Sequence, residues 1–168
     1  MIGVGERFPS VHLNGVDIDN SILDIDFLAP DDWSVIYFYP KDFTFICPTE
    51  ITAMDKLVDE ADVIGVSGDN EFCKIAWKTA DGRIRNIKHL LAADCGLVLS
   101  HKLGIVDKNE NVCLRATYIV DPEGVIQHVS VNALDTGRNA EEILRTLQAL
   151  KSGGLTGCAW QPEDDFVA

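Results

Sequence analysis

Residues 35–61 set an apolar run, a proline, a short polar loop and a proline-led amphipathic segment in a row, and that succession leaves few folds open. VIYFY at 35–39 reads as a buried strand that stops at Pro40, which lacks the amide proton a sheet ladder needs. Pro48 suits a first helical turn, where an amide proton would have no partner, and Ile51, Met54, Leu57, Val58 and Ala61 recur at helical spacing. The unit is a strand, a loop and a helix, with Cys47 at or beside the helix N-cap.

The remaining chain continues this alternation. A turn-like Asn14-Gly15 predicts a hairpin over 8–23 on which His12 is a solvated strand residue, and Pro30-Asp31-Asp32 reads as a turn. A strand at 62–67 is followed by a helix that Asn70 starts, with Phe72, Ile75, Ala76 and Trp77 inward. Residues 79–88 read as a solvated basic loop. A strand at 89–93 leads to a helix capped by Asp94 and ended by Gly104. Strands at 115–120 and 125–131 flank a 121–124 turn, and a last helix carries Ile143, Leu144, Leu147 and Leu150 up to Gly153. Strands interleaved with helices imply one α/β domain over 1–151. Residues 152–168 are glycine-flanked and acidic and read as a mobile tail holding Cys158 and Trp160.

Cys47 is the residue this arrangement equips for chemistry. Unpaired amide protons and the positive end of a helix dipole favour a thiolate over a thiol, whose ordinary pKa is ~8.5. Thr44 is placed to aim a hydroxyl at the sulfur, Pro40 to cover it, and Glu50 to bond back to the cap or hold an arginine. The plainer reading is a buried structural cysteine ahead of an ordinary helix. Cys73 falls inside a helix and reads as packed. Cys95 stands at a helix start, where the same dipole would make it more acidic than average. Cys113 shares the parity of Arg115 and would share its face if the strand reached that far.

Charge and cysteine count narrow the function. A net charge of −13 over 168 residues argues against nucleic-acid or anionic-membrane partners, which require clustered Lys or Arg. No apolar run approaches the ~18 residues of a membrane span, and MIGVGERFPS has no signal-peptide pattern, so a cytoplasmic location is expected. Five cysteines and four histidines show no metal-ligand spacing, and the odd count argues against a secreted disulfide framework.

PxxxTxxC running on into CPTE, at Pro40, Thr44 and Cys47, resembles the peroxiredoxins, the thiol peroxidases. The likeness extends through RFP, VIGVS, LLAADCG, RATYIVDPEGVI, GRNAEEILRTLQAL and GCAW, and looks most like the bacterial alkyl hydroperoxide reductase C branch of the typical two-cysteine type. It implies a thioredoxin-like fold, a central mixed sheet flanked by helices. Pro40, Thr44, Cys47 and Arg115 would bind and break a peroxide O–O bond, with Arg138 in support near the site. Cys158 of the partner subunit would resolve the Cys47 sulfenic acid, Cys95 or Cys113 being the intrachain alternatives. The resemblance further implies a homodimer paired edge to edge near 125–131, dimers joined into a ring, and no metal or bound cofactor. The substrates would be hydrogen peroxide and organic hydroperoxides. A dithiol protein would reset the enzyme, either thioredoxin or a dedicated flavoprotein or disulfide carrier. The GGLG segment of oxidation-sensitive members is absent, which predicts an enzyme that keeps cycling in excess peroxide.

Two other classes compete. A redox-responsive holdase chaperone or peroxide sensor fits a ring-forming family, although holding unfolded chains does not need the Pro40, Thr44, Cys47 and Arg115 set. A thioredoxin-like exchanger would need a CxxC, and a cysteine protease a histidine placed by a recognisable motif; neither is present.

Overall fold

The computed structural model describes residues 1–27 and 31–168. Among these, β1 (His12–Val16), β2 (Ile22–Asp26), β3 (Ser34–Phe38), β4 (Asp62–Ser67), β5 (Leu90–Ala93), β8 (Arg115–Val120) and β9 (Ile126–Asn132) form one sheet in the order β2-β1-β5-β4-β3-β8-β9. β6 (Val106–Asp107) and β7 (Val112–Cys113) pair separately. β3, β4 and β5 run parallel, and the flanking pairs are antiparallel.

All five residues of β3 are buried, as a strand covered on both faces requires. Val35 and Tyr37 join Cys47, Ile51 and Met54 of α1 (Cys47–Met54) and Ile143 and Leu147 of α4 (Ala140–Ser152). Ile36 and Phe38 pack on the other face with Leu99 and Leu103 of α3 (Val98–Leu103). Each such side chain, fully buried, contributes roughly 1.5–3 kcal/mol. The same alternation on β8 sends Ala116, Tyr118 and Val120 to the α3 face and Ile119 to the α1 face. Arg115, with the parity of Ile119, is thereby brought to the Cys47 side.

Several local expectations are corrected. The hairpin exists, but Asn14 and Gly15 lie inside β1 and the turn falls at 17–21. Gly15 is there because a Cβ would stand 2.2 Å from Ile25 Cδ1. Of the turn expected at 30–32, Pro30 lies outside the described residues. α1 stops at Met54 and tightens into a 3-10 turn, Asp55–Leu57. There the Asp55 carboxylate accepts from Lys88 N and lies against His89 Nδ1, both at 2.7 Å. The inward face of α2 (Glu71–Ala80) is Lys74, Trp77 and Lys78, while Phe72 is 66% exposed. The buried ammonium groups are satisfied: Lys74 Nζ donates to Ser67 Oγ at 2.6 Å and Lys78 Nζ to Asp17 O at 2.6 Å. Hydropathy alone does not report such partners. The 79–88 stretch likewise carries Ile84 and Ile87 into the core.

The tail is folded back on itself. Trp160 is 6% exposed and stacks on Phe166 at 5.9 Å, its Nε1 donating to Asp164 O, while Arg145 of α4 donates to Trp160 O. Trp160 is thus the buried anchor of the tail, while residues 161–168 stay exposed around it.

Candidate active site

Two local signals place Cys47. Tyr39 N still donates to Val66 O at 3.0 Å, then Pro40 ends pairing and the chain turns. Phe43 takes a left-handed φ of 55°, an unusual conformation for a bulky residue, and the Thr44 hydroxyl closes the turn by donating to Lys41 O at 2.8 Å. Cys47 is the first residue of α1 and Pro48 the second, after an Ile46 cap that offers no side-chain acceptor. The sulfur is buried, at 1% exposure of the residue.

Charge converges on it from β8 and from the segment ahead of α4. Arg115 Nη1 donates to Cys47 Sγ at 3.4 Å and to Glu50 Oε2 at 2.7 Å, and its Nε donates to Leu134 O at 2.7 Å. Glu50, one helical turn past Cys47, also receives Arg138 through Nε at 3.0 Å and backbone N at 3.1 Å. Arg138 is fixed further by Nη1 bonds to Ala116 O and Thr117 Oγ1, both 3.0 Å, by an Nη2 bond to Phe38 O, and by the Tyr37 ring 5.0 Å below its guanidinium. Two buried guanidiniums against one buried carboxylate leave one positive charge uncompensated, and Cys47 Sγ is the atom that faces it. Burial opposes the Arg115 charge, but the hydrogen bonds to Cys47 and Glu50 outweigh it and raise its pKa. A fixed positive fork beside a nucleophilic sulfur suits a reaction that develops negative charge on a leaving oxygen.

Pro40 and Thr44 lie on the loop that leads to Cys47, where the Thr44 hydroxyl donates to Lys41 O at 2.8 Å. Glu50 holds arginines and does not bond back to the cap. Arg138, expected only in support, is as deeply bonded as Arg115. Cys158 is exposed and free, and Cys47 is also free.

The other cysteines are protected from ionising. Burial pushes Cys113 up to about 12, and burial with the nearby Asp42 and Asp69 carboxylates pushes Cys73 up to about 11. Cys95 is raised too, by burial and then by Glu71, which overturns the acidic thiol expected at that helix start. Cys113 does not share the face of Arg115: Leu114 N bonds to Ile105 O, which takes the chain out of β-strand, and the Cys113 thiol donates to Tyr39 O at 3.0 Å within the opposite core.

Two buried polar groups escaped the sequence reading. Lys74 Nζ reaches Tyr39 OH at 3.1 Å and Asp42 Oδ1 at 3.4 Å, anchoring the loop before Cys47. Tyr37 OH lies 2.7 Å from His89 Nε2, whose other ring nitrogen meets Asp55. Because a carboxylate only accepts, the Nδ1 proton of His89 points to Asp55. No periodicity flags either group, since each is assembled from separate elements.

Comparison with known proteins places this geometry. The AhpC/TSA family profile matches residues 4–129. The chain is 36% identical over 185 residues to alkyl hydroperoxide reductase C of Mycolicibacterium smegmatis, spanning 99% of this chain and 94% of that one. Among solved structures, the reduced 2-Cys peroxiredoxin of Plasmodium vivax superposes with a TM-score of 0.90 at 34% identity, covering 98% of this chain and 92% of the other. Mycobacterium tuberculosis AhpC follows at a TM-score of 0.86 and 34% identity, covering 96% and 99%.

Proposed function

The chain belongs to the AhpC/TSA family, and from that premise we propose that it is a thiol-dependent peroxidase in which Cys47 reduces hydrogen peroxide and organic hydroperoxides. The observation that carries the assignment of Cys47 is the Arg115 fork at 3.4 Å from its sulfur, held by a Glu50 that a second arginine shares. The thiolate attacks one peroxide oxygen, an S–O bond forms as O–O breaks, and the electron pair leaves on the distal oxygen. Arg115 stabilises that oxygen as it takes a proton and departs as water or alcohol, leaving a sulfenic acid on Cys47. Thr44 and Pro40 shape the peroxide's approach.

Cys158 of a partner subunit then attacks the sulfenic sulfur, an S–S bond forms and water leaves, and a dithiol protein returns both thiols. Two features support this role: Cys158 is exposed, and it lies in the 152–168 segment beyond Gly153, whose φ of 69° ends α4. Since Cys47 is buried in this reduced form, the Cys47 turn must open for the sulfurs to meet. β9 is an edge of the sheet; residues 5–8 cover its start through Gly5 N to Ile126 O and Ile126 N to Glu6 O, both 2.9 Å, and the rest of the strand is the pairing surface proposed for a dimer and, through dimers, a ring. No helix among the described residues is long and apolar enough to cross a membrane, and a cytoplasmic location fits the reducing supply such a cycle consumes.

Steady-state peroxide consumption with excess dithiol tests the assignment. Cys47→Ser is expected to abolish turnover while Cys73→Ser and Cys113→Ser keep most of it; substantial turnover by Cys47→Ser sinks the mechanism.

A further inference from the structure

The loop that precedes Cys47 contributes to a second cluster with a different composition. Asp42, Asp69 and Cys73 each bring one ligand-type atom within 4.8 Å of the others. Asp42 has no exposed side-chain surface, and its Oδ1 is saturated by Tyr39 OH at 2.9 Å, Ser67 Oγ at 3.2 Å and Lys74 Nζ at 3.4 Å. Its Oδ2 is buried and has no hydrogen-bond partner. A buried carboxylate oxygen left unpaired is costly and seldom left so without a purpose. The charges also fail to balance, because two carboxylates surround one buried ammonium.

We propose that Asp42, Asp69 and Cys73 form a three-ligand site for a zinc-type divalent cation, with water in the fourth position. One sulfur and two carboxylate oxygens make a tetrahedral donor set of the kind zinc accepts while keeping an open position. A thiolate selects a borderline-soft ion and rejects magnesium and calcium, which take oxygen alone. On binding, Cys73 loses its proton to solvent and a sulfur–metal bond forms with no change of oxidation state. Three anionic ligands then stand against the dication and Lys74, and the cluster is neutral.

Metal–ligand bonds of about 2.0–2.3 Å bring ligand atoms to roughly 3.5 Å from one another, so the cluster closes by about 1 Å. Asp69 and Cys73 are partly exposed; Asp69 Oδ2 accepts from Asp42 N at 2.8 Å and from Ser67 Oγ at 2.9 Å, which holds it beside Asp42, itself held through Oδ1. Lys74 occupies the other oxygen of Asp42 and leaves Oδ2 for the ion. Occupancy would tie the loop after β3 to the first turn of α2.

Cobalt(II) is the probe, because a thiolate ligand gives it a sulfur-to-metal charge-transfer band. Reduced full-length protein carrying Cys47→Ser and Cys158→Ser, so that neither of those thiols contributes, is titrated with cobalt and then with zinc. One cobalt per chain with that band, displaced by zinc, is expected. Adding Cys73→Ser should remove the band, and Asp69→Asn should weaken binding by at least about tenfold with unchanged far-ultraviolet circular dichroism. Uptake without saturation, or a band that survives Cys73→Ser, overturns the site. The readout uses no peroxide, so its failure is independent of the peroxidase assignment.

Discussion

Replacing Arg138 with methionine keeps most of the side-chain length and removes the charge and the fork. In the native protein its side chain donates to Glu50, Ala116 O, Thr117 Oγ1 and Phe38 O and is 3% exposed, so none of these acceptors gains water cheaply when the guanidinium is lost. Breaking one arm of a buried ion pair costs about 3–5 kcal/mol. For a domain of this size each kcal/mol moves the melting temperature by about 2–4 °C, so the reduced variant should melt about 6–20 °C lower. The loss also reaches the sulfur. With Arg138 gone, Glu50 is matched by Arg115 alone, and no positive charge is left over for Cys47 or for the leaving oxygen. A charge-assisted hydrogen bond is worth about 1.5–3 kcal/mol, which corresponds to roughly ten- to hundredfold in the rate of peroxide attack. Thermal denaturation followed by circular dichroism reads the first effect, and stopped-flow tryptophan fluorescence of the reduced protein mixed with peroxide reads the second. Arg138→Lys, which retains charge without the fork, should fall between the two and guards against a methionine variant that does not fold. A methionine variant that melts within about 2 °C of wild type and reacts at the native rate would refute the charge argument.

Oxidised wild type should run as a dimer on a non-reducing gel. Cys158→Ser should abolish that dimer yet keep one rapid reaction with peroxide, and an oxidised wild type that stays monomeric would move the resolving role to a cysteine of the same chain. Because Cys73 is held up to about 11, its alkylation rate should climb about tenfold per pH unit from neutral to alkaline pH without levelling off below that value. A plateau near neutrality, read by peptide mass spectrometry, would contradict the burial argument. Asp55 is lowered: burial works against its charge, but the hydrogen bonds from His89 and Lys88 outweigh it. A depressed carboxylate contributes stability above its unfolded pKa and loses it as pH falls through the folded one. Urea midpoints of Asp55→Asn should therefore decline less steeply than wild type below about pH 4, and parallel curves would exclude that contribution.

Sequence alone was sufficient for the parts of this protein that depend on neighbours in the chain. A run of β-branched residues ended by Pro40, a helix opened by Cys47 and Pro48, and an Arg115 at the head of a strand are local statements, and each lies where backbone preference puts it. The tertiary structure alone decided which charges meet. Glu50 collects its arginines across 65 and 88 residues of sequence, and nothing in the periodicity of either segment ranks Arg138 equal to Arg115. It also decided burial against hydropathy: Lys74 is inside because Ser67, Tyr39 and Asp42 satisfy its ammonium, while Phe72 of the same helix faces out. Cys113 crossed to the opposite core at a single irregular residue, Leu114, which parity counting carries straight through. Propensity and pattern act over one or two helical turns, whereas the desolvation of a charge is settled only by the partners that folding brings to it.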